Sequence, residues 1–377
     1  MDFSKMDISR RAFLTSTAAA AALLVANPSG ALAATPWVQT LSANKGKGAP
    51  RMEGQVSSRT TDDELHMLHE MGITNVAVTF SDSELTYAAA APIVSRLRNF
   101  ANGGFNITLG SNGGLQKNTA IILGTSGKDA AIQTFKNFVI VLGQLQIPVT
   151  AIAWQPNGIV RSKGFTNKYT HGGSAGIADM ADIKKMAIAN GRVYTDAEVW
   201  ATFKYFIDAM LPTCAQAKVA MALHPNDPPV PSLLGAASLI YNSNGYRKAF
   251  ALANNSPWLG MKLCCGVWLE GGVTFGNILS DIDEFVKAGK VLNVHFRNVS
   301  NPLNPDYSGY FEETLAMDGY ADMYSIMKQF VKSGYNGSLF CDHAFTGYSS
   351  MGGNTTNMAT NNAYIMGLIN AACSEVK

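Results

Sequence analysis

Short apolar runs alternate along this chain with longer amphipathic stretches, and the alternation repeats eight times. The runs predict strands over 51–56, 73–80, 105–110, 149–154, 218–224, 260–264, 291–296 and 338–342. The amphipathic stretches predict helices over 62–71, 84–101, 129–145, 197–216, 232–253, 278–288, 320–333 and 358–373. Thr61 with Asp62, and Thr195 with Asp196, stand where helices start, because their side-chain oxygens accept from orphan backbone N–H groups. Gly72, Gly289 and Gly334 stand where helices end. Eight strand–helix units are the count of a (β/α)8 barrel, so the fold class is α/β, a TIM barrel. A doubly wound sheet is the competing arrangement.

The fifth run, KVAMALHPNDPPVP over 218–231, carries the strongest signal. Its apolar residues stop at His224, and prolines follow that can neither donate to a ladder nor extend one. Three later runs end in Cys264, His295 and Asp342. Side chains alternate along a strand, which turns all four toward the barrel axis at its C-terminal mouth. One thiolate, two imidazoles and a carboxylate are a donor set for a divalent metal. Taken singly, a buried Cys is an ordinary small hydrophobe and a His a satisfied core group; four such strand ends together read as one site.

Neighbours extend the site. Lys262 and Asn293 point inward one layer lower, where a buried lysine needs a partner. Arg297 shares a face with His295, and its planar fork suits the carboxylate of an acidic substrate; a salt bridge at the rim is the alternative. His343, beside Asp342, is the acid/base candidate, or else a group supporting the ligands. Two connections, 155–196 and 299–319, are long and leave the C-terminal ends of strands, which makes them candidate lids or substrate walls.

The start of the chain lies outside this pattern. Ser9-Arg10-Arg11-Ala12-Phe13-Leu14 precedes an alanine-rich apolar run and the small-residue site Ala31-Leu32-Ala33. That is a twin-arginine signal peptide over 1–33, too short and alanine-rich for a stable membrane span. A polar, glycine-rich lead-in over 34–50 follows, then a single catalytic barrel over 51–377, and the exported protein is expected in the periplasm. Lys and Arg number 29 against 27 Asp and Glu, a near-balance that gives no sign of a nucleic-acid or anionic-membrane partner. Five cysteines, an odd number, argue against a complete disulfide framework. The twin-arginine machinery carries folded proteins, so a metal seated before export fits this route. The oligomeric state stays open, with a homo-oligomer compatible.

The motifs HPNDPP, LCCG, VHFRNV, FEETLAMDGYADMY and CDH, in this order, resemble the mannonate dehydratase family. The likeness is concentrated in 197–343 and is weaker over 123–161. It implies a xylose-isomerase-like barrel that dehydrates D-mannonate to 2-keto-3-deoxygluconate with a divalent metal, Mn2+ first among Mn2+, Zn2+, Fe2+, Ni2+ and Co2+. By resemblance the ligands are His224, Cys264, His295 and Asp342, and His343 matches a catalytic histidine. Substrate contacts are expected at Arg297, Trp154, Arg161 and His171. The chain departs from the family at three places. Ala359 stands near the position of a catalytic tyrosine, Ala316 replaces a histidine, and His171 stands for an arginine. The general base is therefore unassigned among His171, Glu313 and Tyr348.

The reading that follows is a metal-dependent lyase acting on a sugar acid. A metal-dependent isomerase, epimerase or lyase on another sugar or glycoside is the second reading, and a non-catalytic periplasmic sugar- or metal-binding protein the third. For the leader, Arg10→Lys with Arg11→Lys is expected to leave uncleaved precursor in the cytoplasm. Fractionation checks this, and normal export of the double variant would contradict it.

Overall fold

The computed structural model describes residues 49–165, 169–342 and 353–376. The signal segment and nearly all of the lead-in lie outside them. Eight parallel strands form the barrel: β1 (Arg51–Ser57), β2 (Asn75–Thr79), β3 (Asn106–Ser111), β4 (Val149–Ala153), β5 (Ala220–His224), β6 (Leu259–Cys264), β7 (Val291–His295) and β8 (Ser338–Phe340). Hydrogen-bonded neighbours run β3-β2-β1-β8-β7-β6-β5-β4, and β3 packs beside β4, so the sheet comes round nearly to closure. All eight expected strands are present, their ends shifted by a residue or two.

Helices cover the outside, as parallel strands require crossovers. They are α1 (Asp62–Glu70), α2 (Tyr87–Arg98), α3 (Lys128–Gln144), α4 (Asp196–Ala217), α5 (Ser243–Leu252), α6 (Ile278–Lys287), α7 (Met323–Lys332) and α8 (Gly353–Glu375). Thr61 and Thr195 each form a capping box, with Glu64 and Glu198 respectively. α3 buries Phe135, Phe138 and Leu142, and α4 buries Phe203, Phe206 and Met210. The two helices meet at Phe135 and Phe206, whose rings lie 5.8 Å apart. Each such aromatic burial stabilises by roughly 1.5–3 kcal/mol.

The helix expected over 232–253 is not continuous. Ser232–Leu233 and Ala236–Ala237 pair as a small antiparallel hairpin, and α5 starts only at Ser243, capped by Asn242. The turn uses positive φ at Leu234 and Gly235, a conformation that interrupts any helix. Apolar spacing alone could not reveal this, because Leu233, Ala236 and Ala237 are buried in either state. Short helices that the pattern did not predict occupy Gly113–Gln116, Thr119–Leu123 and Cys265–Gly271.

The two long connections pair with each other. Asn298–Val299, Tyr310–Thr314, Ala175–Asp179 and Lys163–Phe165 form one antiparallel sheet in that order. It is built from the segments after β4 and β7, so it belongs to the C-terminal end of the barrel. Pairing satisfies backbone groups that two independent loops would leave to water.

Inside the barrel, Ala77, Leu109 and Ala151 form an apolar cluster. A polar layer accompanies it. Asn293 Nδ2 donates to both Glu53 oxygens at 3.1 and 3.2 Å, and Thr108 Oγ1 donates to Glu53 as well. Burial pushes the Glu53 carboxyl up, and the charge of Lys262 pulls it back. Lys262 thus has Glu53 as its electrostatic partner, with Asn293 bonded to the same carboxylate. Glu53→Leu leaves this lysine without its counter-charge and is expected to cost about 3 kcal/mol. The double variant with Lys262→Met recovers most of that loss in urea unfolding.

Candidate metal centre

Three strand ends converge. His224, Cys264 and His295 each offer a ligand atom, and these atoms lie within 4.8 Å of one another, all buried. The register explains it: Cys264 pairs with His295 across β6 and β7, and His224 closes β5 beside them. Local chemistry also prepares the donors. His224 Nδ1 lies 2.7 Å from the Pro225 carbonyl, which as an acceptor holds the proton on Nδ1 and leaves Nε2 its lone pair. Burial lowers the His224 pKa well below its ordinary value, with the neighbouring His295 acting in the same direction, so this imidazole is neutral.

Asp342 stands at the edge of this set. β8 ends at Phe340, and Asp342 adopts a left-handed φ of 51° beyond it. Its Oδ2 lies 3.2 Å from His295 Nδ1, 3.9 Å from Cys264 Sγ and 3.0 Å from Arg297 Nε. His343 and Tyr348, the acid/base candidates, lie outside the described residues.

Behind the triad is a buried network of charge. Arg297 Nη2 lies 2.6 Å from Glu270 Oε1 and 3.2 Å from Asp227 Oδ2, while Nε holds Asp342. Arg161 forks onto Asp227 at 2.5 and 3.0 Å and reaches Glu313 at 2.8 Å. Four carboxylates thus meet two guanidiniums. Burial, with Asp227 beside it, pushes the Glu270 carboxyl up to about 8 against the pull of both arginines. A divalent cation at the triad would offset the excess of carboxylates. The donor set, the His224 tautomer and this charge balance all fit such an ion.

The network corrects several expectations. Arg297 is not an open grip for a substrate carboxylate: it is 1% exposed, engaged by three carboxylates, and its guanidinium fills the space beside Gly266. Any Cβ at Gly266 would sit 2.3 Å from Arg297 Nη1. Arg161 holds the 155–196 connection onto Asp227 and Glu313, so its guanidinium is already engaged. Glu313 accepts from Arg161 and from the Gly176 N–H, which disfavours it as a base because both bonds stabilise the carboxylate. Trp154 lies on the opposite strand face from Ala153, the partner of His224, and packs on Phe203 and Phe206 in the helix layer. It is no substrate contact. His171 pairs with Asp318 at 2.6 Å and is exposed, unlike the buried triad.

Asp227 and Glu270 were missed as site residues. Asp227 was visible within HPNDPP. Glu270 was signalled only by being a lone carboxylate in the apolar stretch GVWLEGG.

A parallel barrel with a His–Cys–His cluster at the C-terminal ends of its strands defines a (β/α)8 barrel with a candidate metal centre, and comparison with known proteins agrees with that fold. The model of the D-mannonate dehydratase (UxuA) family matches residues 173–377, just over half of the chain, and the chain belongs to that family. Mannonate dehydratase from Brachyspira hyodysenteriae is 34% identical over 150 residues, 39% of each chain. That from Geobacillus thermodenitrificans is 31% identical over 152 residues, covering 40% of this chain and 38% of the relative. The matched part thus spans about two fifths of these relatives' length. The fold extends further: mannonate dehydratase from Streptococcus suis serotype 2 superposes with a TM-score of 0.72 at 21% identity, covering 86% of this chain and 95% of that one. A xylose isomerase domain protein from Planctomyces limnophilus superposes at 0.58 with 12% identity, covering 87% of this chain and 99% of that one. Both show the xylose-isomerase-like barrel. Family and donor set together imply a divalent metal.

Alanine at His224, Cys264 or His295 is expected to lower bound metal in purified protein, whereas Cys265→Ser keeps it; elemental analysis checks both. Burial holds the Cys264 thiol well above its ordinary pKa, so metal uptake must displace its proton while neutral His224 releases none. Apparent affinity should therefore climb about tenfold per pH unit through the neutral range, and Cys264→Ser should flatten that slope.

Proposed function

We propose that this chain is a metal-dependent dehydratase acting on a sugar acid such as D-mannonate and yielding the 2-keto-3-deoxy acid. The observation that carries the reading is the His224–Cys264–His295 cluster, with Asp342 beside it, in a chain of the D-mannonate dehydratase family. The reaction removes the proton on the carbon next to the carboxylate and expels the neighbouring hydroxyl as water; the enol then becomes the ketone. His224, Cys264 and His295 would hold the ion, with Asp342 as fourth ligand. Manganese is the ion proposed. When bound, it supplies Lewis acidity at the substrate's oxygens. The chain's own part is to hold these groups in fixed places. Arg297 orients Asp342 through Nε, and the Pro225 carbonyl sets the tautomer of His224. His343, next along the chain from Asp342, is proposed to protonate the leaving hydroxyl.

A second reading, an isomerase, epimerase or lyase on another sugar, is favoured by Ala316 and Ala359 at places where the family carries acid/base groups. The two readings separate by product. We place the mature protein in the periplasm, delivered folded by the twin-arginine machinery.

Metal-loaded protein incubated with D-mannonate is expected to accumulate a 2-keto-3-deoxy acid, and chelation should abolish this until metal is restored. If the loaded protein consumes no member of a sugar-acid panel, the dehydratase reading falls. An epimerised or isomerised product would establish the second reading.

A further inference from the structure

A sugar acid brings a carboxylate into the mouth, and the two arginines there are already engaged by Asp227, Glu270, Glu313 and Asp342. Lys262 lies a layer lower, with Glu53. A different cation stands just beyond the end of β3. Lys117 follows the short helix Gly113–Gln116, which starts two residues after β3 ends, so it belongs to the same end of the barrel as the triad.

The turn that carries Lys117 is tightly built. Asn112 Oδ1 accepts from the Leu115 N–H at 2.8 Å, and Asn112 Nδ2 donates to the Phe80 carbonyl at 3.0 Å and to Asp82 at 2.9 Å. Thr119 Oγ1 donates to the Pro156 carbonyl at 3.4 Å, which ties the turn to the end of β4. Leu115 and Gln116 line a small gap with Ile152 and Trp154 on the outer face of β4. Lys117 comes next in the chain. It is half-buried, and among the described residues no hydrogen bond or ion pair engages its ammonium. Burial lowers its pKa, and the charges that oppose this belong to Asp227 and Asp342; Lys262 in turn feels Lys117. Asp227 and Asp342 belong to the mouth and Lys262 to the layer beneath it, so the Lys117 charge acts on that part of the barrel.

A second unsatisfied donor stands on the adjoining strand end. Gln155 follows β4 by two residues and shares parity with Ala153, the partner of His224. Its Oε1 accepts from the Asp227 N–H at 3.1 Å, while its buried Nε2 has no partner among the described residues. A buried donor without an acceptor is destabilising unless a ligand supplies one.

We infer that Lys117 binds the substrate's carboxylate, with Gln155 Nε2 as the neighbouring donor, across the mouth from the metal cluster. This rests on the sugar-acid reading of the site. It gives Lys117 the role that the buried pairing of Arg297 denies that residue. Two donors on successive strand ends match a carboxylate's two oxygens.

The test uses metal-loaded protein and two probes, D-mannonate and D-mannitol; the alcohol lacks the carboxylate. Calorimetry is expected to show that wild type prefers the acid and that Lys117→Met weakens acid binding about ten- to a hundredfold. Mannitol affinity, bound metal and thermal midpoint should hold, and Lys117→Arg should restore most of the acid affinity. In turnover the loss should appear in KM more than in kcat. Unchanged acid affinity in Lys117→Met overturns the inference. So does equal loss for acid and alcohol, or loss of metal, since either makes the lysine a counter-charge for Asp227 and Asp342. Wild type that shows no preference for the acid also overturns it. Failure of the dehydratase reading is distinct: no conversion of any member of the sugar-acid panel, yet a Lys117-dependent preference for acids, would sink that reading and leave this inference standing.

Discussion

The mouth of this barrel depends on Arg297. Its guanidinium is out of water and holds Asp227, Glu270 and Asp342, three acids carried by segments after β5, β6 and β8. In a low-dielectric setting, isolated charges of this kind cost several kcal/mol each, so the arrangement persists only because every member has a partner. The constraint reaches the backbone: Gly266 has no Cβ because the guanidinium occupies that space. By fixing Asp342, Arg297 also fixes the neighbour of His295 and Cys264. The metal donors are thus positioned by a cation that acts through Asp342, and an arginine suits this better than a lysine because its fork reaches several acceptors at once.

A second arginine extends the same principle outward. Arg161 binds Asp227 and Glu313, which belong to different connections, and so draws the antiparallel sheet of the long segments toward the barrel. Fold and site are therefore not separable here. The sheet that walls the mouth and the acids that frame the metal share one electrostatic network. A cation at the triad would bring positive charge to a cluster that has more carboxylates than guanidiniums.

The sequence showed the barrel well because parallel strands buried on both faces read as apolar runs, and each ended on a recognisable break. Strand parity likewise brought His224, Cys264 and His295 to one face, as β6 and β7 register requires. It separated Cys264 from Cys265 as well, although in the structure Cys264 is the last residue of β6 and Cys265 opens the short helix that follows. Parity was also available for Trp154, which a likeness of motif placed wrongly in the mouth while alternation places it among the helices. The hairpin at Ser232–Ala237 escaped because its buried residues suit a helix or a strand equally.

What the chain determined by itself was therefore local: the period of each run, the break that ends it, the caps at Thr61 and Thr195, and the donor types at strand ends. These follow from near-neighbour sterics and hydrogen bonding, which act over a few residues. Which charges meet which was decided only by the closed fold. Arg297 lies 70 residues from Asp227 and 45 from Asp342, and Arg161 lies 152 from Glu313. No periodicity encodes pairings at such separations. They arise because closing the barrel brings distant strand ends to one mouth, where water is excluded and each charge must find its opposite.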